Sequence, residues 1–424
     1  MSSKFVLLTL ISFLIITALI SQTMSSQFLV NVKCVISQSG TVNYPTVSVD
    51  RTLAETVHNL NTGLNYTTIQ EAIDANRTLD GHTILVDAGT YYENIVVNKS
   101  IKLVGENAIT TVLDGESESL LILGVVASDA TVRNFTVKNT RADQPAYGIS
   151  IKDSQNVSLV DVTVEEGYTG LVLDNSSLCE VVNSVFKNSY AYGVDLRDNS
   201  VNNTVVGNWI VANPTGIAIM DMTCENNRFH HNNFVNNTNQ IDVTYAGSNI
   251  WDDRNEGNYW SNYNGIDLDS DGIGDTYIPW EAVDNYPLMG TFSDFNATSE
   301  YHIQTVCNST ISDFNYNGST ISFNVSGANG TAGFCRICIP KALMNETYWV
   351  FVNGTEILPA PLPLPCSNGT HNYLYFNYTH SIQEVVIVPE FPSIIILPLF
   401  MIATLLAVIV YKRKHQTRNK MREV

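Results

Sequence analysis

The chain has 424 residues, 44% hydrophobic and 15% charged, with a formal net charge of −19 at pH 7. That length and apolar share exclude a disordered chain and leave room for more than one core. The acidic balance argues against nucleic acid as a partner, because phosphate binding needs clustered cations.

Residues 1–26 begin with Lys4, run apolar from Phe5 to Ile20 and turn small and polar at SQTMSS, the order of parts in a secretory signal peptide. A lead-in of residues 27–63 follows. In TTIQEAIDAN, Thr68 and Glu71 make a capping box, and Ile69, Ala72 and Ile73 share one helical face, so a short helix is expected to plug the open end of whatever follows.

From residue 147 one pattern recurs: YGISI, TGLVL, YGVDL and TGIAI. Its glycines, Gly148, Gly170, Gly193 and Gly216, are spaced by 22, 23 and 23 residues. Each unit holds a short alternating stretch, a polar turn and a second stretch such as LVDVTV or VVNSVF, with no 3.6 periodicity between them. Such units coil into a parallel β-helix, here placed at residues 64–250, in which no rung buries its apolar face alone. Asn134, Asp161, Asn183, Asn208 and Asn233 fall at comparable places and are expected to stack as a structural ladder.

An end segment at 251–291 contains IDLDSDGIGDTY, with Asp267, Asp269, Asp271 and Asp275 at relative positions 1, 3, 5 and 9, Gly272 at 6 and the Ile273 carbonyl at 7. Carboxylates on alternating residues that converge through a glycine turn suit Ca2+, whereas hard oxygen donors do not suit the common transition metals. Position 12 is Ile278 instead of a bidentate Glu, so the loop departs from an EF-hand, and Glu281 or Asp284 is the expected source of the missing oxygens. The ion is expected to act as a clasp. Residues 292–388 carry short alternating stretches between Asn-Gly and Pro turns, which points to a β-sandwich-like stalk. Sequons such as Asn296, Asn317 and Asn377 are dense there and fit an extracellular address. Residues 389–424 form a C-terminal anchor, with an apolar span at 393–411 followed by a basic tail that belongs in the cytoplasm.

The run TIQEAIDA to HTILVDAGTYYENIVVNKSIKLVGE, with the rungs after it, resembles the right-handed parallel β-helix proteins of the NosD/pectin-lyase-like group. The segment NYWSNYNGIDLDSDGIGDTYIPWEAVDNYPLM is similar to the end segment of archaeal members. VPEFP with its span and basic tail resembles archaeal surface anchors whose Pro-Glu-Phe tripeptide is a sorting signal. The expected architecture is therefore all-β: a right-handed parallel β-helix, a small β-sandwich-like domain and a C-terminal transmembrane helix.

Counting from the repeat glycines gives an acidic column of Asp153, Asp174, Asp198 and Asp221, with Arg197 beside Asp198. Turn chemistry explains such residues, but stacked carboxylates would also raise their pKa values or recruit a cation. The favoured reading is a membrane-anchored cell-surface protein that binds carbohydrate or a surface partner without catalysis. The alternative is a polysaccharide lyase, epimerase or esterase, because enzymes of the resembled group place acids and cations on this kind of surface. A third reading follows from the link of NosD-type proteins to copper-site maturation. Met220, Met222, Cys224, His230 and His231 offer sulfur and imidazole, although no Met- or His-rich tract supports copper. Four cysteines of the stalk, Cys307, Cys335, Cys338 and Cys366, are disulfide candidates of open connectivity, with a redox pair at Cys335 and Cys338 disfavoured.

Overall fold

A computed structural model describes residues 56–244, 247–344, 347–357, 360–361, 367–389, 404–406 and 408–411. The expected signal peptide, most of the lead-in and Cys366 lie outside them, as does most of the span at 393–411. Residues 404–406 and 408–411 of that span are helical, and among the described residues no helix is long and apolar enough to cross a membrane.

Three sheets of nine, eight and seven strands wrap one core. The first runs from a short antiparallel pair, Val57–Asn59 and Leu64–Tyr66, through Thr83–Val86 to Arg228–His230. The second runs from Gly89–Tyr91 to Tyr259–Trp260, and the third from Ile95–Val97 to Asn239–Asp242. Within the solenoid, strands of successive rungs pair in parallel. Ile149 lies opposite Leu171, Leu171 opposite Val194 and Val194 opposite Ile217, so the repeat register holds. All four side chains are fully buried.

The repeat glycine has a steric cause. A Cβ on Gly193 would stand 2.7 Å from the carbonyl oxygen of Gly216, and one on Gly170 would stand 2.5 Å from that of Gly193. Neighbouring rungs approach too closely there for any side chain.

The helix Ile69–Asp74 caps the first end. Thr68 accepts a hydrogen bond from the Glu71 N–H at 3.2 Å, and Ile69, Ala72 and Ile73 are buried. Aromatic rings close the other end: Phe229 stacks on Trp251 with centroids 4.3 Å apart, and Phe234 stacks on Trp260 at 4.2 Å. The solenoid thus reaches Trp260, beyond the expected boundary at 250.

The asparagine ladder includes Asn208, as read in the sequence, but passes beside the other positions named there. Asn134, Asp161 and Asn183 have φ of 63°, 52° and 50°, and they belong to a column of left-handed corner residues. The ladder takes Ser184, one residue after Asn183, then Asn208 itself, and Asn232, one residue before Asn233. The Asn208 side-chain amide donates to Asn232 Oδ1 and that of Asn232 to Asn258 Oδ1, each at 3.0 Å. Asn233 instead bonds the backbone of Phe292. Parallel ladders join Asn203, Asn227 and Asn249, and Asn213 with Asn237.

After the end segment, two five-stranded antiparallel sheets span Thr291 to Pro389. Ile303, Ile337 and Phe376 of one meet Phe323, Val350 and Ile387 of the other in a single core, which makes a sandwich.

Candidate functional site

The expected acidic column forms only in part. Asp174 pairs in register with Lys152 and Arg197, and Lys152 Nζ lies 2.6 Å from its carboxylate. Asn175 occupies the place next to Asp153 and donates to it at 2.7 Å. Asp221 accepts N–H groups from Thr223 and Asp198, and the Thr223 bonds hold its carboxyl below the usual range. The Asn175 amide and the Lys152 salt bridge thus separate Asp153 and Asp174 from the column, whereas Asp198 and Asp221 remain neighbours on adjacent rungs.

Arg197 pairs with Asp195 instead of Asp198, its Nε donating to Oδ2 at 2.6 Å. Its guanidinium also donates to the Tyr147 hydroxyl at 3.0 Å and lies over that ring. Asp195 is 2% exposed on the outer face of the third sheet, and burial pushes its carboxyl up although Arg197 opposes this. The reading of the sequence missed Asp195. Its signal was present, since YGVDL is the one repeat unit of the four with a charge inside the strand, and Asp195 and Arg197 at i and i+2 share a face.

A groove of about 650 Å³ follows one corner of the solenoid. Ser117, Asn139, Glu166, Asn188, Ala212 and Asn236 line it, and all six have φ between 54° and 61°. The left-handed turn that moves the chain from the second sheet to the third presents one such residue per rung, at steps of about 4.8 Å. Tyr190, 60% exposed, stands beside them. Glu166 is the one carboxylate among the described lining residues, so the groove offers amides, hydroxyls and a ring face but no acid–base pair.

In the acidic loop Gly272 has φ +83°, and the turn folds around Asp267, which accepts N–H groups from Ser270, Asp271 and Gly272 at 2.7–3.2 Å. Asp267, Asp269 and Asp275 each bring a carboxylate oxygen within 4.8 Å of the others. Of the other two expected ligands, Asp271 is engaged otherwise. Asp271 is turned inward, accepts the Ile273 N–H, and is pushed up to about 6 by burial; Ile273 bridges to Leu288. Asp284 is equally unavailable to the loop. It is fully buried at the end of the Asn208 ladder, where its Oδ2 accepts from the Asn258 N–H and Trp260 Nε1, both at 2.8 Å.

Residues 75–265 match the family model described as periplasmic copper-binding protein (NosD). This segment is similar to NosD-type domains. It is similar to a cell surface glycoprotein of Methanothermus fervidus, 33% identical over 140 residues, which are 33% of this chain and 19% of the relative. A probable ABC transporter binding protein NosD of Pseudomonas aeruginosa is 37% identical over 87 residues, 20% of each chain. The chain thus spans about a fifth of the length of these curated relatives. Among solved structures, the pectin methylesterase of Yersinia enterocolitica matches 40% of this chain and 66% of its own at 16% identity, with a TM-score of 0.29.

The sulfur and imidazole set considered for copper does not converge in the matched segment. Met220 and Met222 are exposed, whereas Cys224 is buried in the solenoid core. Burial pushes its thiol up to about 11, and a protonated thiol is a poor ligand. Cys307, Cys335 and Cys338 are free, buried thiols and not bridge partners of one another. Cys335 lies opposite Cys307 across adjacent strands, but Cys338, three residues on, points to the other face and has Gln304 opposite it.

Proposed function

We propose that the chain is a cell-surface protein, carried by its C-terminal apolar span, whose β-helix binds carbohydrate along the corner groove without turning it over. The observation that supports this is the groove itself. Its amides and hydroxyls repeat at a constant step, its Tyr190 ring offers an apolar face, and polymers with a regular polar repeat are the ligands such a surface fits. The likeness to a cell surface glycoprotein agrees with the location. A glycan array and titration calorimetry on the chain test it: binding without product is expected, and Tyr190→Ala should weaken binding by about tenfold. Equal affinity of wild type and Tyr190→Ala for every bound glycan would sink the reading.

A second reading, a carbohydrate-active enzyme, is favoured by Asp195, a buried carboxyl beside Arg197 and Tyr147. Released product that disappears in Asp195→Asn would establish it. The acidic loop is proposed as a Ca2+ clasp built on Asp267, Asp269 and Asp275. Calcium at a hundredfold excess over its Kd should stabilise the protein by about 2.7 kcal/mol, and Asp269→Ala should abolish the rise in melting temperature.

A further inference from the structure

At the end of the solenoid, beside the acidic loop, His230 closes the strand Arg228–His230 and His231 follows it with φ 58°. That turn sets the two imidazoles at 77° with centroids 4.9 Å apart, and their Nδ1 atoms are 3.3 Å from each other. His231 Nε2 faces Glu256 Oε2 at 3.2 Å. An ionised carboxylate only accepts, so the His231 proton sits on Nε2 and its Nδ1 carries a lone pair toward His230. Asp253 completes the cluster. Its Oδ1 is fixed by the N–H groups of Asn255 and Glu256 at 2.9 and 2.8 Å, and one ligand atom from each of His230, His231 and Asp253 lies within 4.8 Å of the other two.

The separation of the two nitrogens is compatible with a shared cation. At 3.3 Å it stands at the long end of a hydrogen bond between the rings, which a His230 N–H could donate in the absence of a metal. Two nitrogens each about 2.0–2.1 Å from a tetrahedral zinc ion lie about 3.3 Å apart. We propose that His230, His231 and Asp253 bind a borderline divalent cation, zinc being the best match, with Glu256 as the positioning residue behind His231.

Two imidazoles and one carboxylate suit zinc better than calcium or a monovalent soft metal. The carboxylate behind the histidine is the usual device that fixes the tautomer and ring plane of a metal-binding imidazole. Here it is itself held from the other side, because Arg336 of the sandwich donates to the same Glu256 oxygen at 2.5 Å and is 3% exposed. Three protein ligands leave one coordination position. His231 and Asp253 also line a cleft of about 500 Å³, with Asn285, Tyr286 and Tyr373 among its walls, so a water or small oxygen ligand can reach that position. The site is distinct from the acidic loop and does not depend on the glycan reading.

Cobalt(II) titration of the full chain in metal-free buffer tests the proposal. One equivalent should produce the intense visible absorption of tetrahedral cobalt, and zinc should displace it. His230→Ala, His231→Ala and Asp253→Ala should each abolish the band, Glu256→Gln should weaken affinity by about 10–100-fold, and Asp269→Ala in the neighbouring loop should leave it unchanged. Circular dichroism of the metal-free variants separates loss of ligands from loss of fold. A wild-type protein without the tetrahedral band, a band that survives all three ligand substitutions in folded protein, or one that disappears with Asp269→Ala would overturn the assignment.

Discussion

At the scale of single residues, asparagine performs two separate tasks in this chain. At Asn139, Asn188 and Asn236 it occupies left-handed backbone at a corner, which its short polar side chain tolerates. At Asn208, Asn232 and Asn258 it is buried and bridges rungs, satisfying both its neighbour in the ladder and a strand carbonyl. Asp284 ends that ladder, and burial pushes its carboxyl from 3.8 up to about 6 against the hydrogen bonds of Trp260 and Asn258. The folded protein therefore keeps a proton that the unfolded chain releases between those values. The resulting contribution to stability is complete below pH 3.8 and is lost as pH rises through 6. Asp284→Asn should remove this dependence. In urea titrations with chelator present, the stability of wild type relative to the variant should fall by about 2–3 kcal/mol between pH 3.5 and 7. A constant difference would show that Asp284 keeps an ordinary carboxyl.

Among the elements, the third-sheet strands depend on the glycine that begins each repeat. Gly193→Ala would set a methyl group 2.7 Å from the Gly216 oxygen and 2.9 Å from the Asn213 amide, both held by neighbouring rungs. Backbone cannot yield there as a long side chain would. The substitution should cost about 1–3 kcal/mol, read as a lower urea midpoint with an unchanged slope. The same periodic glycines made the solenoid register legible in the sequence, because close approach between rungs leaves glycine as the one choice. The acidic column was misread for the opposite reason. Many residues tolerate the corner, so counting four residues from Gly170 and five from the others put Asp174 with the wrong neighbours, whereas the ladder pairs it with Lys152 and Arg197.

For the molecule as a whole, the junction between solenoid end and sandwich rests on Arg336. It donates to Glu256 and to the Asp271 carbonyl, and Gly272 packs against its side chain. Burial drives Glu256 up, but the nearby guanidinium outweighs this and, with His231, holds the carboxyl down to about 2. Arg336→Ala leaves that carboxylate buried without its partner and should cost about 3–5 kcal/mol at pH 7. Arg336→Met combined with Glu256→Met should recover part of the loss, because the pair rather than either charge is what the junction requires. Denaturant titrations of the three proteins check this, and equal losses in the single and double variants would contradict it.

The sequence alone determined the parallel solenoid, its capping helix and the separate antiparallel sandwich. Each rests on local periodicity: alternation within a strand, a glycine at a constant interval, a capping box before an apolar face. These patterns repeat many times, so an error at one rung does not change the conclusion. The sites were decided by tertiary structure. Asp195 gains its character from burial beneath Arg197 and Tyr147, and Asp284 from the end of a ladder begun 76 residues earlier at Asn208. His231 is oriented by Glu256, which is held in turn by Arg336 from another domain, 80 residues away in sequence. No local pattern encodes such convergence, because the free energy of a buried charge depends on which groups from distant segments reach it and on how much water they exclude.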